Sequence, residues 1–367
     1  MTWVWRASWL LLPVAFVARL VAPERHVLVF SLSCLSLMPL AKAMGDATGD
    51  LAERLGPGPG AILNASFGNA AELIVALLAL SKGHVALVKG SITGSILGNL
   101  LLIAGGAVTV AGMKFPSVRF NRVAAGATVS TLFLAVVALA VPTLLASTAG
   151  AHSEARLLSE EIAAVLIVMY ALSLLFQLRT QERVIAASEP KPFLFLPATP
   201  GEAAAARQPE RHEPPNPWWA GGRLLLAGAA TAVASELLVG SLEGTLQSVR
   251  LPETFVGVVI IAIVGNAAEH SSAIAFGSRG QMDVALGIAW ESSKQIALLV
   301  APVLVFAGLA LGTPMDLNFS RFEAAAIGLA VLATAIITLD GETHWLEGAF
   351  LVAVYAVLAI GFYFVGS

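Results

Sequence analysis

Long apolar segments dominate this chain, and they constrain its fold more than any motif within it. A helix needs about 20 predominantly apolar residues to cross the hydrocarbon core of a bilayer. Eleven segments approach that length: 3–22, 27–45, 60–80, 84–111, 121–146, 158–178, 220–243, 253–276, 283–311, 321–339 and 345–365. Charge or proline separates most of them, as in "APERH" (22–26), "GPGPG" (56–60) and "LDGETH" (339–344). Hydrophobic residues make up 57% of the chain and charged residues only 12%, too few to cover the surface of a soluble protein this long. The expected fold is therefore an all-α polytopic membrane protein with about eleven transmembrane helices. A net charge of −3 gives no basic field for a nucleic-acid partner. The single cysteine, Cys34, excludes a disulfide framework. Segment 3–22 carries Arg6 and Arg19 and lacks a convincing cleavage site, so it reads as a retained helix rather than a signal peptide.

The longest interruption, 179–219, is rich in proline, alanine and charge, the composition of a partly disordered linker between two halves. Eleven crossings put the termini on opposite sides. The N-terminus and even-numbered gaps hold twelve basic residues, against seven in the odd gaps with Lys89 among them. That bias predicts a cytoplasmic N-terminus and linker. A compact chain without long targeting extensions fits a bacterial plasma membrane. The oligomeric state stays open, a homo-oligomer included.

Two of the apolar segments contain the same pentamer. With a constant offset of 197, Gly68-Asn69-Ala70-Ala71-Glu72 falls on Gly265-Asn266-Ala267-Ala268-Glu269. Lys82-Gly83 then meets Arg279-Gly280, Gly90 meets Gly287, Ser95 meets Ser292, and Asp46 meets Glu243. Alanine matches are cheap in such a composition; an identical pentamer containing polar residues, in register with these other matches, reads as duplication. Five helices separate the copies, and an odd number of crossings inverts the second relative to the first. Inverted repeats are the plan of secondary transporters, whose sites lie near the midplane at the repeat interface.

A charged group at the bilayer centre costs about 2.5–3.5 kcal/mol on insertion scales, so an acid kept there carries a functional expectation. Inversion brings Glu72 and Glu269 towards one another. Facing carboxylates suit a hard divalent cation, and Ca²⁺ takes about 6–8 oxygen ligands. Without the cation the two acids retain protons, so cation and proton compete for one anionic site. Asn69 and Asn266 lie one turn before each acid and can ligate or orient it. Gly68 and Gly265 permit a local break in each helix. The following segments offer Ser95 and Asn99 in "TGSILGN", and Ser292, Ser293 and Gln295 in "WESSKQI". Asn99 maps onto Ile296, with Gln295 one position earlier, so the site is expected to be only pseudo-symmetric. His270 maps onto Leu73; with an ordinary pKa of about 6.5 it reads as a proton carrier or gate, or as a buried neutral imidazole. Glu236 can pair with a basic group near the membrane surface. Asp46, Asp50 and Glu53 suit a solvated entrance.

Taken together, these motifs resemble the calcium/proton antiporters of the calcium/cation antiporter superfamily over nearly the full chain. The likeness rests on "GNAAELIVALLAL", "FNRVAAG" (120–126), "YALSLLFQLRT" (170–180), "FVGVVIIAIVGNAAEH" (255–270), "MDVALGIA" and "DGETHWLEGAFLVAVYAVLAI" (340–360), in that order. The resemblance implies a peripheral N-terminal helix (1–25) and two inverted five-helix repeats (26–178 and 220–367) joined by the 179–219 linker. It implies export of cytosolic Ca²⁺ against H⁺, with no cofactor and no covalent catalysis. Glu72 and Glu269 would then be the exchange acids that bind the metal ion, and His270 would lie close to the site. Asn69, Asn266, Ser95, Asn99, Ser292 and Gln295 would line or gate the cavity.

One stretch departs from the family pattern. Where small and apolar residues are expected around "SS.QIAL", this chain reads "ESSKQIAL", with Glu291 and Lys294. Their i, i+3 spacing permits an intrahelical ion pair, which would be structural. If Lys294 instead faced the acids, it would occupy the site as an internal cation and alter selectivity. A Na⁺- or K⁺-driven exchanger, or another cation/proton exchanger, is therefore the nearest alternative. An intramembrane metalloenzyme built on Glu269 and His270 lacks a second cluster of His or Cys ligands and an HExxH spacing.

Overall fold

The computed structural model describes residues 9–149, 152–179 and 216–365. Almost all of them are helical, as an apolar solvent demands, because a helix satisfies its backbone polar groups within one segment. The first half contains α1 (Leu11–Val21), α2 (His26–Leu55), α3 (Pro57–Phe67), α4 (Ala70–Ser81), α5 (Val85–Gly112), α6 (Arg122–Ala149) and α7 (His152–Arg179). The second contains α8 (Pro217–Gly240), α9 (Leu242–Val249), α10 (Glu253–Gly265), α11 (Ala267–Gly277), α12 (Met282–Leu311), α13 (Arg321–Ile337) and α14 (Trp345–Val365). A two-residue antiparallel ladder pairs β1 (Val118–Arg119) with β2 (Glu342–Thr343), with Val118 opposite Thr343. It ties the loop before α6 to the loop before α14.

Local chemistry sets the ends of these helices. Gly56 takes a φ of 80° after α2, and Pro57 then opens α3 at a position where a missing N–H costs nothing. Ser320 and Glu323 form a reciprocal capping box at the start of α13.

Helix occupies the described part of each expected apolar segment, but they do not all cross alike. Among the described residues, seven helices are long and apolar enough to span a bilayer: α2, α5, α6, α7, α8, α12 and α14. An eighth arises if α9 and α10, bent by 111°, count together. The remaining segments are short or broken. α1 has 11 described residues and α13 has 17, while breaks at Asn69 and Asn266 divide α3 from α4 and α10 from α11. α9 is a short helix that the hydropathy pattern does not anticipate. Most of the expected linker, and Arg6 of the first segment, lie outside the described residues.

α2 and α8 lie against each other as an extensively packed helix pair, and α4, α5, α10, α11 and α12 converge beside them. Small residues permit the closest approaches. Gly94 of α5 abuts the backbone carbonyl of Val258 in α10, and Gly348 of α14 abuts Thr109 and Gly105 of α5. Three helices contain π-helical turns, at Gly98–Ile103 in α5, Val256–Ile261 in α10 and Ile296–Val300 in α12. The first and third coincide almost residue for residue under the offset of 197. Such turns often mark functional regions of a helix.

Candidate functional site

The two copies of the pentamer break their helices at the same residue. Asn69 and Asn266 each leave helical geometry, with φ, ψ of −104°, 29° and −85°, 14°, and each stands at the N-cap of the next helix. Neither side chain caps its own helix. Both reach instead to the other half of the protein.

Asn69 donates from Nδ2 to Gln295 Oε1 at 2.6 Å, and its Oδ1 accepts from Ser292 Oγ at 3.0 Å. Ser292 Oγ in turn accepts from Asn99 Nδ2 at 2.9 Å. On the other side Asn266 donates to Ser95 Oγ at 2.9 Å and to the carbonyl of Ala262 at 2.8 Å. Under the offset of 197, Asn69–Ser292 and Asn266–Ser95 are equivalent residue pairs with the halves exchanged, although Ser292 donates to Asn69 whereas Ser95 accepts from Asn266. Reciprocal contacts of this kind are what a two-fold relation between halves produces. The partners differ in detail: Gln295 bonds Asn69, whereas no residue of the first half plays that part for Asn266.

The acids stand in the first turns of α4 and α11, where the positive end of a helix dipole favours an anion. Glu72 is buried, and its Cγ lies 3.3 Å from the point where a Cβ on Gly265 would stand. The first acid is thus packed against the break of the second copy. Glu72 and Glu269 are close enough to interact electrostatically. Glu269 Oε2, Asn99 Oδ1 and Asn266 Oδ1 are buried and accept no hydrogen bond among the described residues. Orphaned acceptors are rare in protein interiors, and oxygen donors of this kind suit a hard cation. Among the described residues no group of three or more His, Cys, Asp or Glu side chains is assembled.

The sequence-selected residues divide clearly. Glu72, Glu269, Asn69, Asn266, Gly68, Gly265, Ser95, Asn99, Ser292 and Gln295 come together; a Cβ on Gly68 would stand 3.2 Å from Gln295 Oε1. Ser293 does not join them, since its hydroxyl bonds back to the Ala289 carbonyl of its own helix at 3.1 Å. His270 follows Glu269, and its Nε2 is buried without a protein partner. Glu236 pairs with Lys82 at 2.6 Å, at the ends of α8 and α4. Asp50, on the last turns of α2, accepts from Arg223 of α8 at 2.8 Å.

Glu291 and Lys294 form the expected ion pair, and Gln177 of α7 donates to Glu291 at 2.7 Å. Lys294 is only 3% exposed. It borders a cavity shared with α6 and α7, while Ser292 and Gln295 of the same helix face Asn69 and Asn99. The lysine is thus directed away from the polar network around Asn69.

Lys89 requires a correction. It is not a loop charge but lies within α5, paired with Asp316 and donating to the Asn318 carbonyl at 2.6 Å. Nearby, Thr93 donates to the buried Glu323 at 3.3 Å, and His84 lies 3.1 Å from Glu253 at the head of α10. This network ties α5 to α10 and to the α12–α13 loop. The only sequence signal for it was a lysine one turn inside an apolar segment.

The family model described as sodium/calcium exchanger protein matches residues 25–179 and 219–364. A Ca²⁺/H⁺ antiporter of Synechocystis is 43% identical over 338 residues, covering 92% of this chain and 91% of that protein. The solved structure of native YfkE superposes with a TM-score of 0.79 at 35% identity, covering 96% of this chain and 97% of that one. The H⁺/Ca²⁺ exchanger CAX superposes with a TM-score of 0.64 at 15% identity, over 99% of this chain and 92% of the other. That last likeness is one of fold alone.

Proposed function

The chain belongs to the sodium/calcium exchanger protein family, and from that membership and the duplicated acids we propose that it exchanges Ca²⁺ for H⁺ across a membrane, as its relatives named Ca²⁺/H⁺ antiporters do. It is a multi-pass membrane transporter, not an enzyme.

The observation that carries the mechanism is the paired arrangement of Glu72 and Glu269 in the first turns of α4 and α11, beside the reciprocal Asn–Ser bonds. Glu72 and Glu269 hold the cation when ionised and protons when not, so one site carries each ion in turn. Asn69, Asn266, Ser95, Asn99, Ser292 and Gln295 line that site, and His270 adjoins it. Residues 26–178 and 220–367 act as two inverted five-helix repeats, with the first helix peripheral and eleven crossings in all. The matched helix breaks at Asn69 and Asn266 and the matched π turns in α5 and α12 support that reading. Rocking of one repeat against the other would expose the acids to each side alternately. The Lys/Arg bias supports a cytoplasmic N-terminus and linker; in a bacterial plasma membrane, Ca²⁺ would then move outwards.

The test is Ca²⁺-dependent proton movement in proteoliposomes with an imposed pH gradient. E72Q and E269Q should each abolish it while the protein still inserts, and exchange retained in either variant would refute the assignment. Flux that requires external Na⁺ or K⁺ instead of a proton gradient would favour a cation-driven exchanger.

A further inference from the structure

The offset of 197 that relates the halves also exposes where they differ. On α5, Gly90, Gly94 and Leu97 share one face at i, i+4 and i+7, and α10 lies along it. A Cβ on Gly90 would stand 2.8 Å from the Thr254 carbonyl, and one on Gly94 would collide with the Val258 carbonyl. Leu97 is 1% exposed. This seam is closed at backbone contact, and only glycine fits it.

The equivalent face of α12 carries Gly287, Glu291 and Lys294. The repeat equivalent of α10 is α3, yet a Cβ on Gly287 would meet nothing within 4 Å. Beside Glu291 and Lys294 there is a cavity of about 300 Å³, bordered by Thr128 of α6 and by Phe176 and Gln177 of α7. The ion pair, fixed by the Gln177 hydrogen bond, occupies the positions where α5 has a glycine and a leucine.

We propose that Glu291 and Lys294 are a wedge: their bulk keeps α3 from seating on α12 as α10 seats on α5, so this seam stays open and its closure limits the exchange cycle. The inference rests on the alternating-access reading above. In that cycle the two seams exchange roles, and the closed form of the α3–α12 seam would need a small residue at position 291, as Gly94 provides in the other half. The cost falls on one half-cycle only. The two sides of the transporter are therefore unequal in this chain, although their acids are duplicated.

Position 173 of α7 reports the cavity without adding bulk to the seam: Ser173 borders it beside Glu291 and Lys294, and a cysteine there is reachable while the seam is open and covered when α3 seats. In a Cys34→Ala background, Ser173→Cys would be labelled with a water-soluble maleimide in proteoliposomes. We expect rapid labelling with Glu291 and Lys294 present and labelling slower by about threefold or more in E291G/K294L, as the closed population grows. The isosteric E291Q/K294M, which keeps the bulk, should label at the original rate. Should E291G/K294L fail to fold, E291A/K294A carries the same expectation. Equal labelling of the small and original pairs would overturn the wedge, and so would slowing by E291Q/K294M as large as by E291G/K294L. The exchange rate of the same vesicles should rise in E291G/K294L, and an unchanged or lower rate would overturn the claim that closure is limiting. An absence of Ca²⁺-dependent proton movement without these substitutions would overturn the transport reading instead, while the labelling comparison still decided the wedge.

Discussion

Ser292 donates a hydrogen bond to the side-chain oxygen of Asn69 at 3.0 Å, joining the second half of the protein to the helix break of the first. The equivalent pair, Ser95 and Asn266, bonds in the opposite sense, Asn266 Nδ2 donating to Ser95 Oγ, and the two serines are not equally committed. Ser292 also receives Asn99, whereas Asn266 keeps a second acceptor at the Ala262 carbonyl when Ser95 is lost. Ser292→Ala should therefore cost about 1–3 kcal/mol, the range for stranding buried polar groups, and Ser95→Ala about 0.5–1.5 kcal/mol. Unfolding in detergent measures both, and a Ser95→Ala cost equal to or above that of Ser292→Ala would contradict the network drawn here.

Gly265 supports Glu72 by having no side chain. Gly265→Ala would press a methyl group onto the Glu72 stem at 3.3 Å and should weaken Ca²⁺ binding by about tenfold, within the usual overpacking penalty. Gly287→Ala, with nothing within 4 Å, is the matched control and should leave binding unchanged. Equilibrium binding of radioactive Ca²⁺ reads both, and equal effects would mean that Glu72 is not positioned by Gly265.

Cation and proton compete for the same two carboxylates in this reading. Protonation removes the charge that holds the cation, so Ca²⁺ affinity should fall as pH falls. Glu269→Gln should lower affinity and flatten that dependence, because one competing proton site is gone. A binding curve for this variant that kept the original pH slope would assign the competition to other groups.

Lys89 is joined to Asp316 and to the Asn318 carbonyl within an otherwise uncharged helix. Lys89→Met should destabilise the protein by about 1–3 kcal/mol, and Lys89→Met with Asp316→Asn should recover part of the loss, since the second change removes the stranded acid. Additive losses in the double variant would show the pair to be uncoupled.

Much of the architecture was legible because hydropathy and repetition are one-dimensional signals. Apolar length located helix in every expected segment, and the pentamer identified two acids, two asparagines and two glycines that the fold does bring together. The same signals could not report continuity. Asn69 and Asn266 interrupt apolar runs without changing their hydropathy, so two apparent spans are pairs of shorter helices. Nor could they settle direction. Ser292 and Ser293 are adjacent serines in the same motif, yet only Ser292 faces the site, because neighbours on a helix point about 100° apart.

The sequence by itself determined the solvent this protein folds in and the repeated pentamer, whose two acids, two asparagines and two glycines mark the candidate site. Tertiary structure alone decided who pairs with whom. Asn69 takes Ser292 and Gln295, Asn266 takes Ser95, and Lys294 takes Glu291 rather than the duplicated acids. The asparagine pairings depend on distances of about 3 Å between atoms some 200 residues apart, and the seams on whether α3 and α12 lie as close as α5 and α10 do. A repeat in sequence makes two seams equivalent in principle. Only packing, in which Gly94 meets the Val258 carbonyl while a Cβ on Gly287 would meet nothing within 4 Å, makes one of them shut and the other open.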